Sequence, residues 1–166
     1  MGFQTMSSLP FHETLDLSLC GKLGRVHRIC RQAVTQAVEP LGFTQPRWTA
    51  MMHIHHLGEG CTQHQLATSL DIEMPSLTRT MKQLEESNVI ERRVDKQDKR
   101  CRKIYFTEHG QLQLDKLKAR ISEVKAHLYQ ALSDDELNGI AHALIKLENN
   151  AQQFCDNVSK NGSTSE

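Results

Sequence analysis

The most concentrated chemistry in this sequence lies between positions 92 and 103, in the stretch RRVDKQDKRCRK. Seven lysines and arginines stand there against two aspartates, which gives this segment a net charge of +5. The whole chain has twenty basic and twenty acidic side chains, so its formal charge is zero. Because ammonium and guanidinium groups donate hydrogen bonds to phosphate oxygens, such a cluster lets a neutral protein bind a polyanion at one place.

A second candidate surface lies in the segment MPSLTRTMKQLEE, where Leu77, Met81 and Leu84 recur at helical spacing. At 100° per residue, the opposite face and its flanks carry small, polar and basic side chains: Pro75, Ser76, Thr78, Arg79 and Lys82. Arginine can donate to O6 and N7 of guanine, and Ser or Thr can reach bases or phosphate, so this face fits a DNA major groove. A solvated helix face without a partner is the alternative.

The elements that position these residues are predicted to be mostly helices. Thr44 is a candidate N-cap for a helix that ends in LGEG at 57–60, and Thr62 with Gln65 forms a capping box for a short helix. The four residues 71–74 then separate that helix from the one described above. This spacing is typical of a helix-turn-helix.

A β-hairpin is predicted after Asn88, because Val89 and Ile90 precede the basic stretch and apolar residues follow it at 104–106. The segment KQD at 96–98 is the candidate turn. A basic hairpin after a recognition helix would be a wing, and arginine at its tip favours a narrow minor groove. A soluble hairpin without a partner, or one that binds an acidic protein, is the alternative.

Long helices flank this region, and their apolar residues recur in steps of three and four. In the first helix, which Pro40 and Gly42 end, they are Leu19, Leu23, Val26, Cys30, Ala33 and Ala37. Thr107 is expected to cap the next helix, with Leu117, Ile121, Val124 and Leu128 on one face, and Ser133 with Glu136 to form a capping box for the last. The last helix carries Leu137, Ile140, Leu144, Leu147, Ala151 and Phe154. These faces either pack on each other within one chain or interlock with a second copy, and the second arrangement is favoured.

The run from Thr62 to Gly110 resembles the winged helix-turn-helix core of MarR-family transcription regulators, with DKR at 98–100 followed by IYFTEHG as the wing signature. With LGRVHRICR and EPLGFTQPRW upstream, the resemblance covers about residues 15–155 and is greatest to the SlyA-like branch. It implies a mainly α fold with a small β wing, and an obligate homodimer on pseudo-palindromic, often AT-rich double-stranded DNA. Ser76 and Arg79 would be contacts of the recognition helix with DNA, and Asp98 would position Arg100 at the wing tip.

The expected organisation follows from this resemblance. Residues 1–10 form a flexible N-terminus, 11–43 and 107–158 dimerisation helices, 44–106 the DNA-binding lobe and 159–166 a flexible tail. The expected DNA-binding residues are Pro75, Ser76, Thr78, Arg79, Lys82, Asp98, Lys99, Arg100 and Arg102. Asn88 stands where the family commonly has glycine, and asparagine tolerates a left-handed backbone there.

Members of the family often respond to small aromatic acids, and the candidate ligand residues here are Arg25, Arg28, Trp48, Met52 and His55. Core packing is the alternative for Trp48 and Met52. A redox role of Cys101 between two arginines is a further hypothesis, whereas Cys20 and Cys30 are expected in the core. His53 and His56 lie one turn apart, but Glu59 is the one nearby residue in the sequence that could join them, so no metal or cofactor is expected.

Several protein classes are not expected. No apolar run is long enough to span a membrane, the first twenty residues lack the pattern of a secretory signal, and five widely spaced cysteines favour a reduced, cytoplasmic protein. No nucleophile elbow, P-loop, dinucleotide fingerprint or HExxH motif is found. We therefore expect a binding protein rather than an enzyme.

Overall fold

The computed structural model describes residues 18–95, 97–99 and 101–162, without the side chains of residues 161 and 162. The elements in chain order are α1 (Leu19–Val38), α2 (Gln45–Leu57), β1 (Cys61–Thr62), α3 (Gln63–Leu70), α4 (Met74–Glu86), β2 (Ile90–Val94), β3 (Arg102–Phe106), α5 (Glu108–Tyr129) and α6 (Asp134–Gly162). Helices dominate, and the strands form one small antiparallel sheet. This confirms the predicted fold class, a mainly α winged helix-turn-helix.

The chain forms two compact units, one that reaches Ala126 and one that begins at His127. The buried core belongs to the first unit, where side chains of all its helices and all three strands meet. Its fully buried large side chains are Val38, Met51, Ile54, Leu66, Leu77, Met81, Leu84, Val89, Ile104, Leu114 and Leu117. None of the described helices is both long and apolar enough to cross a membrane.

The hairpin is present, and its register pairs Ile90 with Phe106 and Val94 with Arg102. Its connection runs from residue 95 to residue 101, so it is longer than the predicted turn at 96–98, of which Lys96 lies outside the described residues. The two-residue strand β1 pairs with β3 and gives the sheet the order β1-β3-β2. That third strand was not predicted, because two residues are too short to show an alternating pattern.

The predicted helix ends are mostly confirmed by hydrogen bonds. Thr62 and Gln65 bond reciprocally, and so do Ser133 and Glu136. The Thr107 hydroxyl accepts the Gly110 N–H at 2.9 Å. Thr44 precedes α2, but its side chain makes no capping hydrogen bond; there its backbone carbonyl accepts the first helical N–H groups.

Asn88 has the left-handed backbone that its residue type permits, with φ at 54°. It ends α4 by donating its N–H to the Glu85 carbonyl, and Val89 N–H bonds the Leu84 carbonyl at 2.9 Å. The chain therefore turns sharply from the fourth helix into the first hairpin strand.

The first helix contributes only residues near its C-terminal end to the core. Val34 and Val38 are buried, whereas Leu19 and Val26 are exposed. Cys20 is exposed and Cys30 half-buried, so the prediction that both lie in the core is wrong. The physical reason is that α1 reaches the core only with Val34 and Val38, near its C-terminal end, and both cysteines lie before them.

The later helices show the same contrast between buried and exposed apolar side chains. Leu117 and Ile121 of α5 are buried and Val124 is half-buried, while Leu128, in the second unit, is exposed. In α6, Ile140 and Phe154 are exposed, the latter at 70%. α6 continues to Gly162 and so includes the first part of the segment predicted to be a flexible tail; residues 163–166 and the predicted flexible N-terminus at 1–10 lie outside the described residues.

Candidate nucleic-acid interface

The outer face of α4 is formed by the side chains that the helical spacing indicates. Leu77, Met81 and Leu84 have no exposed surface and hold the helix on the core. The five candidate contact residues on the outer face and its flanks are all exposed: Pro75, Ser76, Thr78, Arg79 and Lys82. Pro75 lies in the first turn, where its missing N–H leaves no helical hydrogen bond unmade. The helix therefore presents small and basic groups to the outside.

The two cations on this face differ in their surroundings. Lys82 Nζ lies 3.7 Å from Glu86 Oε1, one turn along, and both side chains are well exposed. No described residue forms a hydrogen bond or ion pair with Arg79, so its guanidinium is available to an outside acceptor. Arg79 is thus the less constrained cation of the two.

A network of hydrogen bonds joins α4 to the hairpin. Arg92 of β2 donates to both carboxylate oxygens of Glu85, from Nε at 2.7 Å and from Nη2 at 2.5 Å. Its Nη1 also donates to Gln63 Oε1 at 3.3 Å, and Gln63 in turn bonds Thr78 of α4. Glu85 raises the pKa of the Arg92 guanidinium mainly by this hydrogen bonding. Arg92 therefore fixes the hairpin strand against α3 and α4.

The hairpin loop is organised around Asp95, a residue that the sequence did not single out. Asp95 Oδ1 accepts the Gln97 N–H at 2.8 Å, and Asp95 Oδ2 lies 2.7 Å from Lys103 Nζ. Its backbone N–H bonds the Cys101 carbonyl, and Cys101 N–H bonds the Asp98 carbonyl. The predicted pairing of Asp98 with Arg100 involves a residue outside the described part of the chain, so it stays a prediction.

Fewer cations of the basic stretch are available to bind an outside anion than the charge count indicates. Arg92 pairs with Glu85, Lys103 with Asp95, and Arg93 with Glu91 while its guanidinium stacks on Tyr105 at 4.6 Å. The side chains of Lys99 and Arg102 are exposed, and the described residues show no ion pair for either. Lys99 and Arg102 are therefore the described hairpin cations that can contact phosphate.

The order of the hairpin loop is expected to depend on pH. Hydrogen bonding from Lys103 and the Gln97 N–H lowers the pKa of Asp95 below its ordinary value. A lowered carboxyl pKa stabilises the fold above the unfolded-state value of about 4. That contribution is lost as the pH falls through the folded-state pKa. The protection factor of the Gln97 amide, which compares its exchange with that of an unstructured chain at the same pH, should then fall in acid, and in Asp95→Asn it should already be low at neutral pH; equal protection in both proteins at pH 7 would contradict this.

The ligand candidates do not all face one site. Trp48 and Met52 pack against the core, and Trp48 Nε1 donates to Thr35 Oγ1 at 3.1 Å. Arg25, Arg28 and His55 are exposed. A depression of about 530 Å³ exists elsewhere, between α3 and the start of α4, and its lining includes His64, Ile72 and Met74 but none of the five candidates.

The remaining reactive side chains have structural contacts. His53 Nδ1 lies 2.8 Å from Ser69 Oγ, and partial burial lowers the pKa of His53. Glu59, a conceivable metal ligand, instead accepts the Phe106 N–H at 3.1 Å. No cluster of three or more potential metal ligands occurs among the residues that the structure describes. Cys101 is half-buried in the hairpin loop.

A helix-turn-helix whose second helix is exposed, followed by a basic hairpin fixed to it, defines the winged helix-turn-helix class. The MarR family profile matches residues 43–102, which include α2 to the start of β3. The match spans 60 of the 166 residues, and over that part the chain is similar to the MarR family.

Solved structures share this fold. Apo MarR from E. coli is 19% identical, with a TM-score of 0.69 over 80% of this chain and 98% of that one. The transcriptional regulator SlyA is 20% identical, with a TM-score of 0.74 over 86% and 99%. CouR from Rhodococcus jostii RHA1, bound to p-coumaroyl-CoA, is 24% identical, with a TM-score of 0.68 over 75% and 87%. At these identities the matches establish the fold.

Proposed function

We propose that the chain is a homodimeric, sequence-specific transcription regulator that acts in the cytoplasm on a pseudo-palindromic, AT-rich operator. Each α4 enters a major groove, and each hairpin, the wing, lies over the adjacent minor groove. The observation that carries this proposal is the exposed Arg79, for which the described residues show no ion pair, on a helix that Arg92 joins to the basic hairpin. Arg79 would read guanine, while Lys99 and Arg102 would contact phosphate.

Exposed apolar side chains on two helices support the homodimer. Along α6 they include Ile140, Leu144, Phe154 and Val158, and along α1 Val26. Rows of exposed apolar side chains of this kind mark an interface, and a second copy would cover them about a two-fold axis. Sedimentation equilibrium should give a dimer, and Phe154→Asp should shift it towards monomer. A wild-type chain that stays monomeric at micromolar concentration would contradict the homodimer.

An anisotropy titration tests DNA binding, with an AT-rich palindromic duplex and a random duplex at two salt concentrations. Because bound cations release counterions, affinity should fall steeply with salt. Arg102→Ala should weaken binding to both duplexes and lower the salt slope by about one per lost phosphate contact. Arg79→Ala should instead cost about 1–3 kcal/mol and reduce the preference between duplexes. Ser76→Ala on the same face is the control. It changes no charge, so the salt slope should stay the same.

Failure of the wild type to bind either duplex at low salt would reject the regulator. An acidic protein partner would then be sought for the hairpin. Sensitivity of DNA binding to mild peroxide, abolished by Cys101→Ser, would separately identify a redox-responsive regulator. Unchanged binding after peroxide treatment would exclude that role of Cys101.

Release by a small aromatic carboxylate is the remaining part of the proposal. The structure of CouR contains an aromatic thioester ligand, p-coumaroyl-CoA, which motivates a search with simple aromatic acids. Arg25 and Arg28 are exposed cations on α1 that could bind a carboxylate. Salicylate-like acids should raise the melting temperature of the wild type but not of an Arg25→Ala, Arg28→Ala double variant. An equal rise in both proteins would remove these arginines from the ligand site.

A further inference from the structure

The hydroxyl of Thr78 both donates and accepts a hydrogen bond within the protein. Its Oγ1 lies 2.8 Å from the Met74 carbonyl oxygen one turn earlier, to which it donates. The same oxygen accepts a hydrogen bond from Gln63 Nε2 at 3.0 Å. A hydroxyl carries only one proton, so Thr78 cannot also donate to an acceptor on a base edge.

The orientation of the Gln63 amide is fixed from its other end. Gln63 Oε1 accepts from Arg92 Nη1 at 3.3 Å, and a guanidinium can only donate. The amide oxygen must therefore face Arg92, which leaves the amide NH₂ group for Thr78. Glu85 holds Arg92 in turn, so three neighbouring side chains determine which way the Thr78 side chain is turned.

These bonds occupy the hydroxyl proton and one of its two lone pairs, so the part of Thr78 that no internal hydrogen bond engages includes its γ-methyl group. Thr78 is exposed and adjoins Arg79 on the proposed groove-facing side of α4. In the major groove, thymine is the base that presents a methyl group, at C5. We propose that Thr78 reads thymine through a methyl–methyl contact, and that Gln63 is the positioning residue for it. This inference rests on the proposed function, in which α4 enters the major groove.

The test begins with wild-type protein and a duplex selected from a random library for tight binding. Each thymine is then replaced in turn by deoxyuridine, which lacks only the C5 methyl group. In each half-site one thymine should be sensitive. Replacing that single thymine should weaken binding about fourfold, the effect of losing one buried methyl group. Wild-type affinity that is unchanged by deoxyuridine at every position would overturn the inference.

Two variants assign the effect to Thr78. Thr78→Ser keeps the hydroxyl and lacks the methyl group in both protomers, so it should bind the thymine duplex about sixteenfold more weakly, about fourfold for each half-site, and lose its sensitivity to deoxyuridine. Thr78→Val keeps a methyl group and should keep that sensitivity. Thr68→Ser, the same change on an exposed residue of α3, is the matched control and should behave as wild type.

The outcomes separate this inference from the proposed function. A Thr78→Ser protein as sensitive to deoxyuridine as the wild type, or a Thr78→Val protein without that sensitivity, would overturn the methyl contact while DNA binding stands. Absence of wild-type binding to any duplex of the library would reject the regulator itself, and the thymine contact with it.

Discussion

Replacing Gly110 with alanine is expected to lower the free energy of unfolding by about 3 kcal/mol. A β-carbon at this position would lie 1.7 Å from the Val89 carbonyl oxygen, a backbone atom that cannot rotate away. The same carbonyl accepts the Thr107 N–H at 3.1 Å. The clash would therefore separate the start of α5 from the chain that enters β2, and the wing would lose its attachment to the core.

Urea denaturation of the wild type and Gly110→Ala measures this effect. Gly139→Ala is the matched control, since a β-carbon at Gly139 meets no described atom within 4 Å. Alanine has the higher helix propensity, so the control should be equal in stability or more stable by up to about 1 kcal/mol. Equal stability of Gly110→Ala and the wild type would show that α5 does not approach Val89 this closely.

Glu85→Gln is expected to cost about 1–2 kcal/mol and to weaken DNA binding as well. The Gln side chain keeps one acceptor but loses the charge that receives two bonds from Arg92, and its amide NH₂ would face the guanidinium. The expected loss of stability is moderate because about a quarter of each side chain is exposed to solvent, which screens the ion pair. The DNA effect follows because Arg92 would no longer hold the hairpin strand beside α4.

Glu86→Gln on the same helix is the matched control for charge and shape. Its pair with Lys82 is 3.7 Å long and largely exposed, so the change should stay within about 0.5 kcal/mol. Denaturation in urea and the anisotropy titration are run on both variants. Similar losses in the two proteins would mean that the negative charge of α4, rather than the contact of Glu85 with Arg92, determines stability and DNA affinity.

Local patterns in the sequence predicted the elements that present the site. The spacing of Leu77, Met81 and Leu84 oriented α4, and the Thr62 capping box placed the start of α3, because both depend on residues within two helical turns. The hairpin was predicted from its apolar flanks. Its register was not predicted, because it depends on which residues of the two strands pair, and the sequence does not show this.

Contacts between distant residues could not be predicted. Gln63 and Arg92 stand twenty-nine positions apart and meet only once the hairpin returns along α3 and α4. Charge counting treated Arg92 and Lys103 as surface cations, since nothing local shows that Glu85 and Asp95 neutralise them. Asp98 was predicted to position Arg100, which stays a prediction, whereas the hydrogen bonds of Asp95 became visible only with the folded loop.

Methylation protection on a selected duplex tests the central claim, that α4 enters the major groove and the wing the minor groove. Dimethyl sulfate methylates guanine N7 in the major groove and adenine N3 in the minor groove. Wild type should protect guanines about 10 base pairs apart, with flanking adenines also protected. Arg79→Ala should lose the guanine protection alone, while Lys116→Ala on α5 should change nothing. Guanine N7 reactivity that the bound wild type leaves unchanged, or protection that survives in Arg79→Ala, would contradict this account of α4.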